Sequence, residues 1–544
     1  MAYVYPNRTD VVSVPSRHEF IDPRTLNFPI YTNPFGVAEP SSLVPIDPVS
    51  GFHPNLTYLV QMEQKRSLSL HQYLENEGLV PSKEEELKRR NVIAKLKKIV
   101  LSWIKNVAWR HQLPKQQIRL ARATILAYGS YGLGVHGSES DIDALCVGPF
   151  FATMEDFFDV LRDLLEKNRD ISEMHCVKDA KVPLMRFKFD GISVDLPYAR
   201  LQVSSVPEYV NTLDPFFFWN IDEISWKSLS GVRANRCILQ LVPNLENFRA
   251  LLRCVKFWAK TRGIYGNLRG FLGGVHLAIL AALISQRHPN ASLASSVSIF
   301  FGTYAFWPWP TPVTLLDGMM PPTVDFNDIR PLMPIRLPHS HEYCHSNITR
   351  STFLRIREEL LRGHAMSGDI FKSHFDWKNI FEPFPYFERY AKFLKISLSA
   401  LDHDKLRDWV GWVKSRFRTL ILKLEEVCSF CDPYPTENDD FEVGKPTTVF
   451  YWGLEFRRSE STDIKSIEEA FVKNLNNGYQ DSPGTIKLAI LHGYELPNSM
   501  QLNTGGRNGS KAYWEISNSS RQRIPLYLRH LPQQSRDHVA ADKD

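Results

Sequence analysis

The sequence predicts a multidomain α/β chain, and three observations carry that reading. A Gly-Ser pair and an Asp-Ile-Asp triplet sit between two strand-like apolar runs within residues 125–148. Two further strands flank Asp190-Gly191, a pair that between strands is the strongest short-range hairpin signal. From residue 246 onward apolar residues recur at helical spacing, and a small α+β pattern follows Phe384. The 544 residues suggest about three or four domains. With 43% hydrophobic and 23% charged residues the composition is that of a globular chain. A net charge of +5 is too small to establish a polyanionic partner, so local clusters must do so. Seven scattered cysteines fit a reduced intracellular protein better than a disulfide framework. Cys428-Ser-Phe-Cys431 lacks a second pair or a histidine at zinc spacing.

In chain order, residues 1–55 carry many prolines and read as an extended arm. There is no signal-peptide core, and the longest apolar stretch, 271–284, is too short to span a bilayer. Order is expected to return at Ser67. Ser82 and Glu85 have the spacing of a capping box that opens a long helix. Leu87, Ile93, Leu96, Val100, Trp103 and Ile104 would face its core. Lys88, Arg89, Arg90, Lys95, Lys97 and Lys98 would form a solvated face or a localisation signal.

The catalytic candidates come next. The strand 125–128 stops at Gly129-Ser130, and ten residues later Asp141-Ile-Asp143 enters a second strand. Alternation puts Asp141 and Asp143 on one face and Ile142 on the other. Two such carboxylates repel unless a cation lies between them, and hard oxygen ligands favour Mg²⁺. Glycine lets backbone N–H groups approach an oxyanion, and the serine adds a donor. The alternative is a loop with two solvated aspartates. A helix is expected from Met154 to Leu165. After it, strands 181–189 and 192–196 form the hairpin and set Asp195 opposite Val194 and Leu196. A carboxylate among strand apolar residues needs a partner, which the pair at 141 and 143 with a shared metal would supply.

Residues 246–260 form a helix with Phe248, Leu251, Leu252, Val255 and Trp258 inward. Arg249, Arg253, Lys256 and Lys260 stripe another face, either against phosphates or in solvent. Gly273-Gly274 open an apolar helix whose N-terminus could receive an anion or pack closely on a neighbour. A helix is expected at about 351–363. In the last part a basic helix over 404–426 buries Trp409, Val413, Phe417, Leu420 and Leu424, and strands lie at 447–456 and 485–491. The outer stripe Arg407, Lys414 and Arg418 suits a polynucleotide backbone or plain solvent. Residues from 498 on are polar and read as a disordered tail.

Gly129-Ser130 with Asp141-Ile-Asp143 and Asp195 resembles the polymerase-β-type nucleotidyltransferase site. The stretches Gly129-Ser-Tyr-Gly-Leu-Gly-Val-His, Phe257-Trp-Ala-Lys-Thr-Arg-Gly-Ile-Tyr and Gly270-Phe-Leu-Gly-Gly-Val narrow the match. Together they resemble eukaryotic template-independent poly(A) polymerases, particularly the shorter plant-like forms, over residues 20–497. The resemblance implies a polymerase-β-like catalytic domain (56–204), a helical central domain (205–382) and an RRM-like RNA-binding domain (383–497). It implies adenylyl transfer from ATP to RNA 3′ ends in mRNA polyadenylation. Asp141, Asp143 and Asp195 would hold two Mg²⁺ or Mn²⁺ ions. Gly129, Ser130, Lys256 and Tyr265 would touch the triphosphate, Asp195 would also contact ATP, and Asn267, Gly274 and Val275 would position the nucleotide. Expected partners are ATP, RNA and 3′-end processing factors, with no membrane and a monomeric chain. The compartment expected is the nucleus, or the cytoplasm because the basic C-terminal tail is absent. Alternatives are uridylyl transfer or a catalytically silent RNA-binding scaffold. Four positions depart from the family pattern: Gly132, Ser230, Asn235 and Arg236.

Overall fold

The computed structural model describes residues 54–178, 180–318, 332–338, 340–440, 445–456, 463–477, 484–497 and 500. Apart from its last two residues, the expected arm at 1–55 lies outside the described residues. So does the expected tail from 498, except Met500. Helix begins earlier than the sequence suggested, at Pro54, and runs to Asn76.

The first sheet contains β1 (Thr124–Tyr128), β2 (Ile142–Gly148), β3 (Ile171–Val177), β4 (Leu184–Phe189) and β5 (Ile192–Arg200). Its order is β1-β2-β5-β4-β3, and only β2 and β5 pair in parallel. Asp190 and Gly191 take φ of 49° and 78° in the β4–β5 turn. Positive φ at both central residues is what a two-residue hairpin loop matched to strand twist requires. The helix Lys83–Arg110 covers one face of the sheet, and its start carries the expected box: Glu85 N–H donates to Ser82 Oγ, and Ser82 N–H to Glu85 Oε2. Val92, Leu96, Val100, Trp103 and Ile104 are buried against Ile125, Ile142 and Val194.

Two expectations for this helix fail. Leu87 is 58% exposed, and Arg89 is buried instead. Arg89 leaves the solvated face because its guanidinium donates to the carbonyls of Gly137, Ser138 and Ser140 at 3.3, 2.7 and 2.7 Å. Lys95 is also engaged, with Asp170 and Asp190 at the hairpin turn. Between Met154 and Leu165 the chain is helical as expected, but Asp156–Leu161 is π-helical, with Phe157, Phe158 and Leu161 buried.

The central helices Glu223–Leu241, Leu245–Thr261, Gly274–Arg287, Leu293–Ala305 and Arg350–Ser367 share one core. Leu70 and Leu74 of the Pro54–Asn76 helix join it. Phe248, Leu251, Leu252, Val255 and Trp258 are all buried, as their spacing predicts.

The second sheet is built from β6 (Lys392–Ala400), β7 (Cys428–Pro433), β8 (Asn438–Asp440), β9 (Thr447–Phe456) and β10 (Gly484–His492). The order is β10-β6-β9-β7, with β8 beside β9. The basic helix expected over 404–426 is two helices, His403–Lys414 and Phe417–Val427. The break does not disturb the apolar spacing, because Val413 and Phe417 both stay buried, while the Arg416 guanidinium lies 3.2 Å from the Trp412 ring centre. Cys428 and Cys431 are buried in β7, where a register shift between Cys428 and Phe430 turns both toward one core. A buried ionic cluster joins this sheet to the central helices: Arg262 and Arg355 hold Glu359 at 2.7 Å, and Arg355 reaches Asp432 at 3.3 Å. Burial alone would raise the Glu359 carboxyl, but the two guanidiniums hold it well below the usual carboxylate range. Among the described residues no helix is long and apolar enough to cross a membrane.

Candidate active site

β1 delivers the chain into a single helical turn, Gly129–Leu133. Gly129 has φ of +61°, and a Cβ on it would lie 1.9 Å from Asp143 Oδ2. Only glycine fits there, for both reasons. The turn is held from behind by the helix Leu245–Thr261: Arg249 Nε donates to Leu133 O at 2.9 Å and Arg253 Nη2 to Gly134 O at 2.5 Å. The first half of the cationic stripe therefore grips protein carbonyls, and its phosphate-facing role narrows to Lys256 and Lys260.

Register brings two of the three aspartates side by side. Asp143 on β2 pairs with Tyr128 on β1 and with Asp195 on β5. Asp141 lies just ahead of β2. Asp195 in turn faces Arg186 on β4, whose Nε and Nη2 donate to Oδ1 and Oδ2, each at 2.7 Å. Burial, then repulsion from Asp195 and Asp141, pushes the Asp143 carboxyl up to about 6. Asp141 is also raised, first by burial and then by Asp195, with Arg186, Arg89 and Lys256 opposing. Burial, then Lys260, pushes the Lys256 ammonium down to about 8, against the attraction of Asp143 and Asp141. Among the described residues no three acidic, histidine or cysteine side chains converge tightly enough to enclose a metal unaided. The Arg186 fork meets both oxygens of Asp195, and each of those oxygens keeps a second lone pair that a cation could use.

Of the remaining nucleotide candidates, Tyr265 and Asn267 lie between two helices, and Gly274 and Val275 open the second of them. Burial, then Asp143, raises the Tyr265 phenol, so its ring lies within electrostatic reach of the carboxylates. A Cβ on Gly274 would come within 3.3 Å of the Tyr265 hydroxyl, so the glycine leaves this edge open. Asn267 Oδ1 accepts from Asn347 N–H at 3.2 Å, which fixes its side chain. Val275 is 38% exposed on the first turn of the Gly274–Arg287 helix. Ser130, next to Gly129, completes the set.

The proposed RNA stripe does not form on one helix. Arg407 pairs with Asp404 at 3.3 Å, Lys414 pairs with Glu437, and Arg418 belongs to the following helix. Sequence reasoning missed Arg186 as a partner of Asp195, and Arg89 and Asn235 as holders of the catalytic loops. The hairpin signal could have found Arg186. With a two-residue loop, Phe189 pairs with Ile192, and three further steps pair Arg186 with Asp195.

Two adjacent strands presenting carboxylates beside a glycine-serine turn define a polymerase-β-type nucleotidyltransferase. Residues 60–242 match the model of the poly(A) polymerase nucleotidyltransferase domain, and 247–383 that of the poly(A) polymerase central domain. Residues 385–435 match the poly(A) polymerase predicted RNA binding domain. Nuclear poly(A) polymerase 3 of Arabidopsis thaliana is 55% identical over 476 residues, covering 86% of this chain and 93% of that one. Nuclear poly(A) polymerase 1 of the same plant is 37% identical, covering 84% and 67%. The poly(A) polymerase of Dictyostelium discoideum is 38% identical, covering 86% and 60%. A solved structure of the Cid1 poly(U) polymerase is 15% identical with a TM-score of 0.43, covering 59% of this chain and 99% of that one. The chain belongs to the eukaryotic poly(A) polymerase family.

Proposed function

We infer that the chain is a template-independent polynucleotide adenylyltransferase that adds AMP from ATP to RNA 3′ ends. The observation that carries this is the register of Asp143 beside Asp195, with Gly129 backed directly onto Asp143. An RNA 3′-hydroxyl oxygen loses its proton and attacks the α-phosphorus, the bond from that phosphorus to the α,β-bridging oxygen breaks, and pyrophosphate leaves with the electron pair. The donor set suits a hard divalent cation, because buried oxygen ligands carry unneutralised charge and substrate phosphates commonly complete such a shell. Asp141, Asp143 and Asp195 would hold two Mg²⁺ or Mn²⁺ ions, which supply charge neutralisation and a more acidic attacking hydroxyl.

The protein's own groups position the substrates. Gly129 and Ser130 present backbone and hydroxyl donors to the triphosphate. Burial, then Lys260, weakens the hold of Lys256 on its proton, and an arriving phosphate would strengthen it. Tyr265 reaches the triphosphate, and Asn267, Gly274 and Val275 position the nucleotide. Asp195 lies nearest the attacking oxygen, and Arg186 orients it. We further propose a division into a catalytic domain at 56–204, a central domain at 205–382 and an RNA-binding domain at 383–497, acting as a monomer with 3′-end processing factors. The names of the Arabidopsis relatives favour the nucleus.

The test is extension of a labelled RNA primer with each ribonucleoside triphosphate supplied alone, with Mg²⁺ or Mn²⁺. Long products are expected with ATP and at most single additions with the others. Extension with UTP instead would mean a uridylyltransferase, and none with any nucleotide would mean a silent homologue.

A further inference from the structure

We propose that Asn235 is a positioning residue for the Gly129-Ser130 turn, and that it interlocks with Gly132. The proposal rests on the nucleotidyl-transfer reading above. Asn235 stands on the Glu223–Leu241 helix, 106 residues from the turn, and its Nδ2 donates to the Gly129 carbonyl at 2.9 Å. The same nitrogen is 2.9 Å from where a Cβ on Gly132 would be, and Ala127 O is 2.9 Å from that point. The amide therefore occupies room that any side chain at 132 would need. One helical turn earlier, a Cβ on Gly231 would lie 2.9 Å from the Tyr128 ring. The helix is thus pressed onto the end of β1 at two successive turns, and Asn235 is the polar contact at the second.

The chemistry at this position is demanding. The group must donate to a carbonyl, so a carboxylate in its place would set oxygen against oxygen. It must also be short, because the turn is close, and free of negative charge, because Gly129 backs onto the Asp143 carboxylate. An asparagine meets all three conditions. Holding the Gly129 carbonyl fixes the peptide that leads into Ser130, and so fixes the donors offered to the triphosphate.

Steady-state kinetics and melting temperatures of the full chain test this with Asn235→Ala, Asn235→Asp, Gly132→Ala and the double variant Gly132→Ala/Asn235→Ala. Asn235→Ala should raise KM for ATP about tenfold, the size of one lost hydrogen bond, with kcat changed less than about threefold. Asn235→Asp, which keeps the shape but not the donor, should lose at least as much. Gly132→Ala should lower both kcat/KM and melting temperature in the parent. Its further effect in the Asn235→Ala background should be less than about half as large, because contacts that couple are not additive. Unchanged ATP dependence in Asn235→Ala, a loss confined to kcat and melting temperature, a parent-like Asn235→Asp, or strictly additive effects would each overturn the proposal. A parent that fails to extend RNA would refute the adenylyl-transfer reading instead, while the melting temperatures would still decide the interlock.

Discussion

Asp143→Asn abolishes primer extension, by a factor on the order of a thousand or more, while raising the melting temperature of the metal-free protein at neutral pH. The activity loss follows from removing a carboxylate that would hold the cation needed to neutralise the triphosphate. Such neutralisation is worth several kcal/mol, and each 1.4 kcal/mol or so is tenfold in rate. The stability gain follows from the raised carboxyl. A group held at about 6 in the fold against its ordinary 3.8 binds its proton more tightly when folded. Its cost is therefore absent at pH below 3.8, grows as pH rises toward 6 and is complete above that. At pH 7 the cost is up to about 3 kcal/mol, less what solvent screening removes. Calorimetry at pH 7.5 and pH 4 checks this, with the variant ahead of the parent only at the higher pH. A variant that loses stability at pH 7.5 in step with activity would make Asp143 a structural residue.

Gly129→Ala should cost about a hundredfold in kcat. Two effects combine. At φ of +61° an L side chain is strained by about 1–2 kcal/mol. The added methyl would also stand 1.9 Å from Asp143 Oδ2, so the carboxylate must swing out of place. A misplacement of about 1 Å can by itself cost about a hundredfold. Gly134→Ala separates the two effects. It has a similar φ of +73°, but its Cβ would meet only the end of the Arg249 side chain, at 2.9 Å. It should lose comparable stability and keep kcat within about tenfold. Equal activity loss in both variants would assign the effect to backbone strain and not to the carboxylate.

Much of this site is legible in the sequence because it is built from local signals. Thr124–Tyr128 and Ile142–Gly148 are short apolar runs bounded by glycine, and Asp190-Gly191 fixes a register that carries through to Asp195. Ser82 and Glu85 announce the helix that covers the sheet. What the sequence hides is long-range. Leu87 fits the helical period, but among the described residues it stays largely exposed. Arg89 is polar, yet three carbonyls of a loop about fifty residues on converge on it. The break after Lys414 is invisible to periodicity because the buried positions continue in phase through Val413 and Phe417. Asn235 reads as a departure from the family pattern until the fold places it against Gly129.

The account turns on Asp195 acting at the chemical step, and single-turnover extension by Asp195→Asn measures that most directly. With primer and ATP saturating, AMP addition should fall on the order of a thousandfold or more while the dissociation constant for ATP, measured separately, stays within about threefold. The reason is that the Arg186 fork fixes Asp195 beside Asp143, whereas Gly129 and Ser130 would supply the main donors to the triphosphate. If AMP addition persists near the parent rate, or if ATP binding collapses along with it, Asp195 is not the residue beside the attacking oxygen and the central claim fails.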